Sequence, residues 1–134
     1  MVTTNIMLYF NLIERADPRD RSLPKKWYAT PASRGRISID ELSTDIAGAS
    51  SLSPGDIANV LKSLVVSVPK FLLLGISVDL GDLGYMRISF SSEGFAEKEA
   101  FDASQIDDVK IIFTPSSKLK ATLASSRFKS AKEA

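Results

Sequence analysis

The chain contains no cysteine and no histidine. Without cysteine it can form no disulfide and has no thiol nucleophile. Without histidine it lacks the commonest acid or base near neutral pH and the commonest metal ligand. The glycines form neither a dinucleotide-binding fingerprint nor a P-loop, and adjacent carboxylates such as Asp107 and Asp108 are typical of exposed loops. The sequence therefore does not predict an enzyme, and it predicts no metal, cofactor or small-molecule substrate.

Long hydrophobic runs are also missing. The longest, residues 65–74, is interrupted by Pro69 and Lys70 and is shorter than the roughly 20 residues that span a bilayer. No basic leader precedes the apolar residues 6–10, so a secretory signal is not predicted. The length of 134 residues and the share of charged residues, 25%, are typical of one soluble globular domain. We therefore expect a single cytoplasmic domain over residues 1–134, with no membrane contact.

The net charge of +1 conceals a segregation of charge along the chain. Residues 1–36 carry seven basic and three acidic side chains, and residues 110–134 carry six and one. Residues 37–86 and 87–109 each carry two basic and six acidic side chains. One interpretation is that the basic ends meet in the fold and form one anion-binding surface. The other is that the solvated faces simply differ in charge.

Two strands and two helices are predicted in the first half. Residues 5–15 and 26–30 are rich in β-formers. Ser38 and Glu41 have the spacing of a capping box, and Ser53 followed by Pro54 predicts the start of a second helix, which Gly75 ends. Apolar residues of that helix recur with the helical period and predict a core-facing stripe. The stripe consists of Ile57, Val60, Leu61, Leu64, Val65, Val68 and Phe71.

After Gly75 the apolar period changes to two, which predicts strands over residues 76–80 and 85–90 around a glycine-containing turn. An acidic segment follows, and residues 109–113 predict a third strand. Thr114-Pro115 predicts the start of a last helix. Leu119, Leu123 and Phe128 are expected on its apolar side.

Several motifs together resemble a known family. They are Asn11-Leu12-Ile13-Glu14-Arg15, Pro24-Lys25-Lys26-Trp27-Tyr28, Gly35-Arg36-Ile37-Ser38, Val78-x-Leu80-Gly81-Asp82-Leu83-Gly84 and Phe113-Thr114-Pro115-Ser116-Ser117-Lys118-Leu119-Lys120. Residues 37–128 resemble the HU and integration-host-factor superfamily of histone-like bacterial DNA-binding proteins. The whole chain resembles the HU-related proteins of Bacteroidetes, which carry an additional N-terminal strand segment. The resemblance depends on the order and spacing of these short motifs.

The resemblance implies an α+β fold with an HU-like body: two N-terminal helices, a three-stranded antiparallel sheet with an arm, and a short C-terminal helix, plus an extra N-terminal β segment. Residues 1–36 would form the strand extension, 37–128 the core with its arm at about 87–108, and 129–134 a frayed tail. The resemblance also implies a nucleoid-associated homodimer. Its body would contact phosphates, and arm prolines would wedge into the minor groove and bend DNA.

The sequence departs from the family pattern in the arm and before the last helix. Residues 87–108 contain no proline and carry two basic residues against six acidic ones, which the negative potential of a minor groove would repel. Two phosphate-binding lysines of the family are missing at Thr114-Pro115-Ser116-Ser117. We therefore expect non-sequence-specific, architectural binding of the DNA backbone, mainly by the body. The candidate DNA-binding residues are Lys25, Lys26, Arg34, Arg36, Arg87, Lys110, Lys118, Lys120, Arg127 and Lys129.

Two alternatives remain open from the sequence. The acidic arm also fits an HU-shaped protein-interaction or structural module that has lost DNA binding, and a deep apolar pocket would favour a small-molecule binder. A homodimer is expected because a small sheet and two helices cannot cover all of their apolar residues. Those residues are Leu80, Leu83, Met86, Ile88 and Phe113. The alternative is a monomer in which the N-terminal strands cover that surface.

Overall fold

The computed structural model describes residues 6–133, and the side chains of residues 6–132. It is an α+β fold with three helices and two three-stranded sheets. The chain forms two compact units. The terminal unit comprises Met1–Arg36 and Leu123–Ala134, and the central unit comprises Ile37–Thr122.

The terminal unit is built on a sheet of three strands. β1 (Leu8–Arg15) pairs antiparallel with β2 (Lys26–Pro31), which confirms both predicted strands. On its other edge β1 pairs in parallel with β6 (Phe128–Ser130). The sheet therefore joins the first and last segments of the chain.

The last strand corrects two predictions. Phe128 does not extend the last helix, and Lys129 and Ser130 are not frayed, because all three residues pair with β1. The Leu8 amide donates to the Arg127 carbonyl at 2.8 Å and extends this pairing. A three-residue strand has almost no pattern of its own in the sequence, since it is specified by the free edge of a distant strand.

The polar loop between β1 and β2 is held by short-range hydrogen bonds. The Asp20 carboxylate accepts hydrogen bonds from the Ser22 side chain and from the Ser22 backbone amide. These two bonds, the side-chain bond more than the backbone bond, hold the pKa of Asp20 below its ordinary value. The Asp17 carboxylate accepts from the Arg19 amide at 2.8 Å. These are the Asx-type turns that short acidic side chains favour, so the acids of this loop serve its own backbone.

Both predicted helix starts of the central unit are confirmed. In α1 (Ile39–Gly48) the Ser38 hydroxyl accepts from the Glu41 amide, and the Glu41 carboxylate accepts from the Ser38 amide, at 3.1 and 3.3 Å. α2 (Pro54–Leu72) begins with Ser53 as its cap. Gly75, at φ +78°, ends the helical segment as predicted. The Gly75 and Ile76 amides donate to the Leu72 and Phe71 carbonyls, which is a Schellman motif.

The predicted core stripe of α2 is only partly buried. The described part of the chain buries Ile57, Ala58, Val68 and Leu72. Val60, Val65 and Phe71 belong to the predicted stripe but are 58%, 74% and 42% exposed. The helical period identified the apolar side of the helix correctly, but the chain alone does not cover all of that side.

The central sheet is antiparallel, in the order β3-β4-β5. β3 is Val78–Asp79, β4 is Gly84–Ser91 and β5 is Asp107–Pro115. The last helix, α3 (Ser117–Leu123), begins later than predicted, because Thr114 and Pro115 still pair with β4. The Ser116 hydroxyl accepts from the Leu119 amide at 3.0 Å and caps the helix.

Gly84 permits the close approach of β4 and β5. Its φ is +145°, and a Cβ there would overlap the Thr114 carbonyl oxygen and lie 2.8 Å from the Phe113 ring. We expect Gly84→Ala to lower the free energy of unfolding by about 2 kcal/mol or more, because strain and overlap add. Gly94→Ala is the control, since nothing lies within 4 Å of its added Cβ. Urea unfolding measures both, and equal stability of the two variants would contradict this assignment.

None of the helices within residues 6–133 is both long enough and apolar enough to cross a membrane.

Candidate nucleic-acid interface

The terminal sheet has one basic face, which we call the basic-aromatic face. Side chains alternate between the two faces of a strand, and paired residues share a face. The register pairs Arg15 with Lys26, Ile13 with Tyr28, and Tyr9 with Lys129. The residues on this face are Tyr9, Asn11, Ile13, Arg15, Lys26, Tyr28, Thr30 and Lys129.

Two arginines lie against the tyrosines of this face. The guanidinium carbon of Arg34 is 4.3 Å from the centre of the Tyr9 ring, and that of Arg15 is 5.6 Å from the centre of the Tyr28 ring. A guanidinium held against an aromatic face keeps its charge and loses less freedom on binding a phosphate. The tyrosines therefore preorganise two of the cations.

Among the described side chains, residues 6–132, the cations of this face have no carboxylate partner, and ion pairs form only at Lys110 and Lys118. Arg15 and Lys26 lie directly opposite each other on adjacent strands. Like charges in that position are destabilising, and each would be stabilised by an anion placed between them. A bound phosphate would therefore stabilise this pair of cations, which destabilises the sheet when no anion is bound.

The structure distributes the sequence-predicted DNA-binding residues between the two units. Lys26 and Lys129 lie on the basic-aromatic face, and Arg34 stacks on its Tyr9. The terminal unit also contains Lys25, Arg36 and Arg127, all outside its strands. Arg87, Lys110, Lys118 and Lys120 belong to the central unit.

Sequence reasoning missed Arg15. A signal for Arg15 was present in the sequence, because Arg15 lies two residues after Ile13 on a predicted strand and therefore shares the face of Ile13. Its pairing with Lys26 could not be predicted, because that pairing depends on the strand register across the intervening loop.

Two of the predicted cations in the central unit have carboxylate partners. The Lys110 ammonium lies 3.3 Å from the Asp108 carboxylate, and the Lys118 ammonium lies 3.4 Å from that of Asp82. Arg87 is exposed on the same face of the central sheet as Lys110. Because a carboxylate partly neutralises each lysine, Lys110 and Lys118 offer less to a phosphate than the cations of the terminal sheet do.

The loop between β4 and β5 is acidic. Residues 92–106 form two short 3-10 turns, Lys98–Ala100 and Ala103–Gln105. The Phe95 and Phe101 rings pack edge to face with their centres 5.7 Å apart. Among the side chains of residues 6–132, no group of three acidic residues is arranged to hold a metal ion. Its charge makes this loop a poor surface for a phosphate backbone.

A solved structure shares the fold of this chain. The chain is similar to the crystal structure of a "putative bacterial DNA binding protein" from Bacteroides vulgatus, with a TM-score of 0.62 and 17% sequence identity. The match covers 93% of this chain and 48% of that one, so the chain spans about half the length of this relative. At this identity the likeness shows the fold alone. No curated protein matches the chain significantly.

The family comparison is more specific. Residues 7–130 match the family model described as "HU domain fused to wHTH, Ig, or Glycine-rich motif". The match includes both basic ends of the chain, the helices and the two sheets. It confirms the HU resemblance that the sequence motifs indicated, and the chain belongs to the HU-HIG family of HU-domain proteins.

Proposed function

We propose that this protein is an architectural DNA-binding protein that binds the phosphate backbone of duplex DNA without sequence specificity. The observation that carries the proposal is the set of cations on or against the basic-aromatic face that form no ion pair among the side chains of residues 6–132, two of them stacked on tyrosines. Phosphate contacts of this kind supply non-specific affinity. The cations are Arg15, Lys26, Arg34 and Lys129, with Lys25, Arg36 and Arg127 beside them in the sequence.

The composition and charge of the acidic loop indicate that DNA binding does not use an inserted arm. HU-type arms bend DNA by placing an apolar side chain between base steps, and residues 92–106 contain no proline for that purpose. Their negative charge would also be repelled by a minor groove. In our proposal this loop stays away from the duplex, and Arg87, Lys110, Lys118 and Lys120 make secondary phosphate contacts.

We further propose that the protein acts as a homodimer. Large apolar side chains are exposed on α2 and on the central sheet, where Val65 is 74% and Phe113 is 41% exposed. A second copy would cover these residues and complete the core that the α2 stripe predicts.

A second function is favoured by one observation. Phe95 and Phe101 are 40% and 42% exposed on the acidic loop, and exposed aromatic side chains are typical anchors of protein interfaces. The loop therefore also suits an HU-shaped interaction module that binds a basic protein. This alternative predicts no affinity for DNA at any salt concentration.

A salt titration tests the proposed function. We expect fluorescence anisotropy with labelled duplexes to show similar affinity for unrelated sequences. The logarithm of the association constant should fall linearly with the logarithm of salt concentration, with a slope near −3.6 per bound chain for four neutralised phosphates at about 0.9 each. No binding even at low salt would contradict the proposal and leave the interaction module.

A further inference from the structure

The other face of the terminal sheet is apolar and uncovered. Leu8, Leu12, Trp27 and Phe128 are 51%, 59%, 64% and 66% exposed. The register places them on one face of the sheet, with Phe10, Ala29 and Pro31 between them. We call this surface the apolar face.

This face carries a groove and a projecting side chain together. The groove has a volume of 390 Å³ and is lined by Leu8, Phe10, Ala29, Thr30, Pro31 and Phe128. Trp27 lies opposite Glu14 on the same face and is largely exposed. A surface with both a groove and a projection can be complementary to itself, as a two-fold interface requires.

The area and charge of the apolar face favour a second copy as its occupant. Its four large exposed side chains leave on the order of 500 Å² in contact with water, and a standard interface needs about 800 Å² from each partner. Phe10, Ala29 and Pro31 supply much of the remainder. Of the strand residues that lie on the apolar face, only Glu14 is charged, so the face offers no charge pattern that would select a different, charged partner.

We propose that the apolar faces of two copies pack against each other as a two-layer β-sandwich. The Trp27 side chain of each copy then enters the groove of the other. Sheets pack about 10 Å apart in this way, with interdigitated side chains. This contact is separate from the interface proposed for α2 and the central sheet. It leaves both basic-aromatic faces on the outside of the sandwich, so it does not compete with DNA.

Single-cysteine cross-linking tests this interface. The chain has no cysteine, so a short bis-maleimide can join only two copies through one introduced residue. We expect Leu12→Cys to give a covalent dimer rapidly at micromolar protein, since Leu12 lies on the apolar face. Asn11→Cys is the matched control, because its side chain lies on the opposite face. We expect it to cross-link at least tenfold more slowly.

The same pair should be cross-linked in a Val65→Glu background, where the α2 interface is disrupted. Retained cross-linking of Leu12→Cys supports an independent interface. Equal rates for the two cysteines, or no dimer from Leu12→Cys, would overturn the proposal. If circular dichroism shows that Leu12→Cys is unfolded, Ala29→Cys takes its place, since Ala29 lies opposite Leu12. In the same Val65→Glu background, Trp27→Ala should weaken the remaining association at least tenfold in sedimentation analysis, and unchanged association would also overturn the proposal.

Discussion

A Lys26→Ala/Arg34→Ala/Lys129→Ala variant is expected to lose roughly a hundredfold or more in affinity for duplex DNA at moderate salt. Each of these cations lies on or stacks against the basic-aromatic face. Removal of three phosphate contacts should also make the log–log salt slope less steep by about 2.7, at about 0.9 per contact. Anisotropy titrations from low to moderate salt measure both quantities. The folded state should persist, because all three side chains are at the surface of the sheet.

The control for this variant removes the same net charge from the central unit. Lys62→Ala/Lys70→Ala/Lys98→Ala also subtracts three positive charges, and none of these lysines is a candidate DNA-binding residue. We expect it to lose less than tenfold, and its salt slope to change by less than one. If the control loses as much affinity as the first variant, binding depends on net charge alone. The basic-aromatic face would then have no special role.

The second large effect concerns assembly. Val65→Glu should raise the dissociation constant of the homodimer by on the order of a hundredfold or more, because the interface would bury a carboxylate without a partner. In a view down the axis of α2, Val65 lies between the buried residues Ala58 and Leu72. It is nevertheless 74% exposed in the single chain. The comparison is made in a Trp27→Ala background, which weakens the contact between the apolar faces. Sedimentation velocity across a concentration series should then show a monomer with Val65→Glu and a dimer without it.

Val66 provides a closely matched control. It is the next residue on α2 and is also 74% exposed, but it lies about 100° around the helix, on the side of Lys62 and Lys70. Val66→Glu should therefore remain dimeric in the same Trp27→Ala background. Monomers from both variants would indicate a general loss of stability, and dimers from both would contradict the use of this side of α2 as the interface.

Much of the central unit could be predicted because its signals are local. The capping box at Ser38, the cap and proline at Ser53 and Pro54, and the glycine at Gly75 each act within one helical turn. Each was found where predicted. The change of apolar period after Gly75 similarly identified β3 and β4, because alternation is a property of the strand itself.

The features that sequence reasoning missed depend on residues far apart in the chain. Phe128 continues an apolar pattern that is typical of a helix, but in the structure it pairs with the free edge of β1 as part of a strand. The opposition of Arg15 and Lys26 depends on the register of a hairpin with a long loop. The apolar pattern of α2 identified the side of the helix that needs covering. The pattern could not show that the chain covers only part of that side, because the exposed Val65 and the buried Val68 both fit the same helical period.

A heteronuclear NMR titration of the protein with a short duplex would locate the DNA-binding surface. We expect the amide resonances that shift most to belong to the basic-aromatic face and its flanks, including Tyr9, Lys26, Tyr28, Arg34 and Lys129. The resonances of the acidic loop, residues 92–106, should stay in place. Shifts concentrated in that loop, with the terminal sheet unaffected, would contradict this expectation.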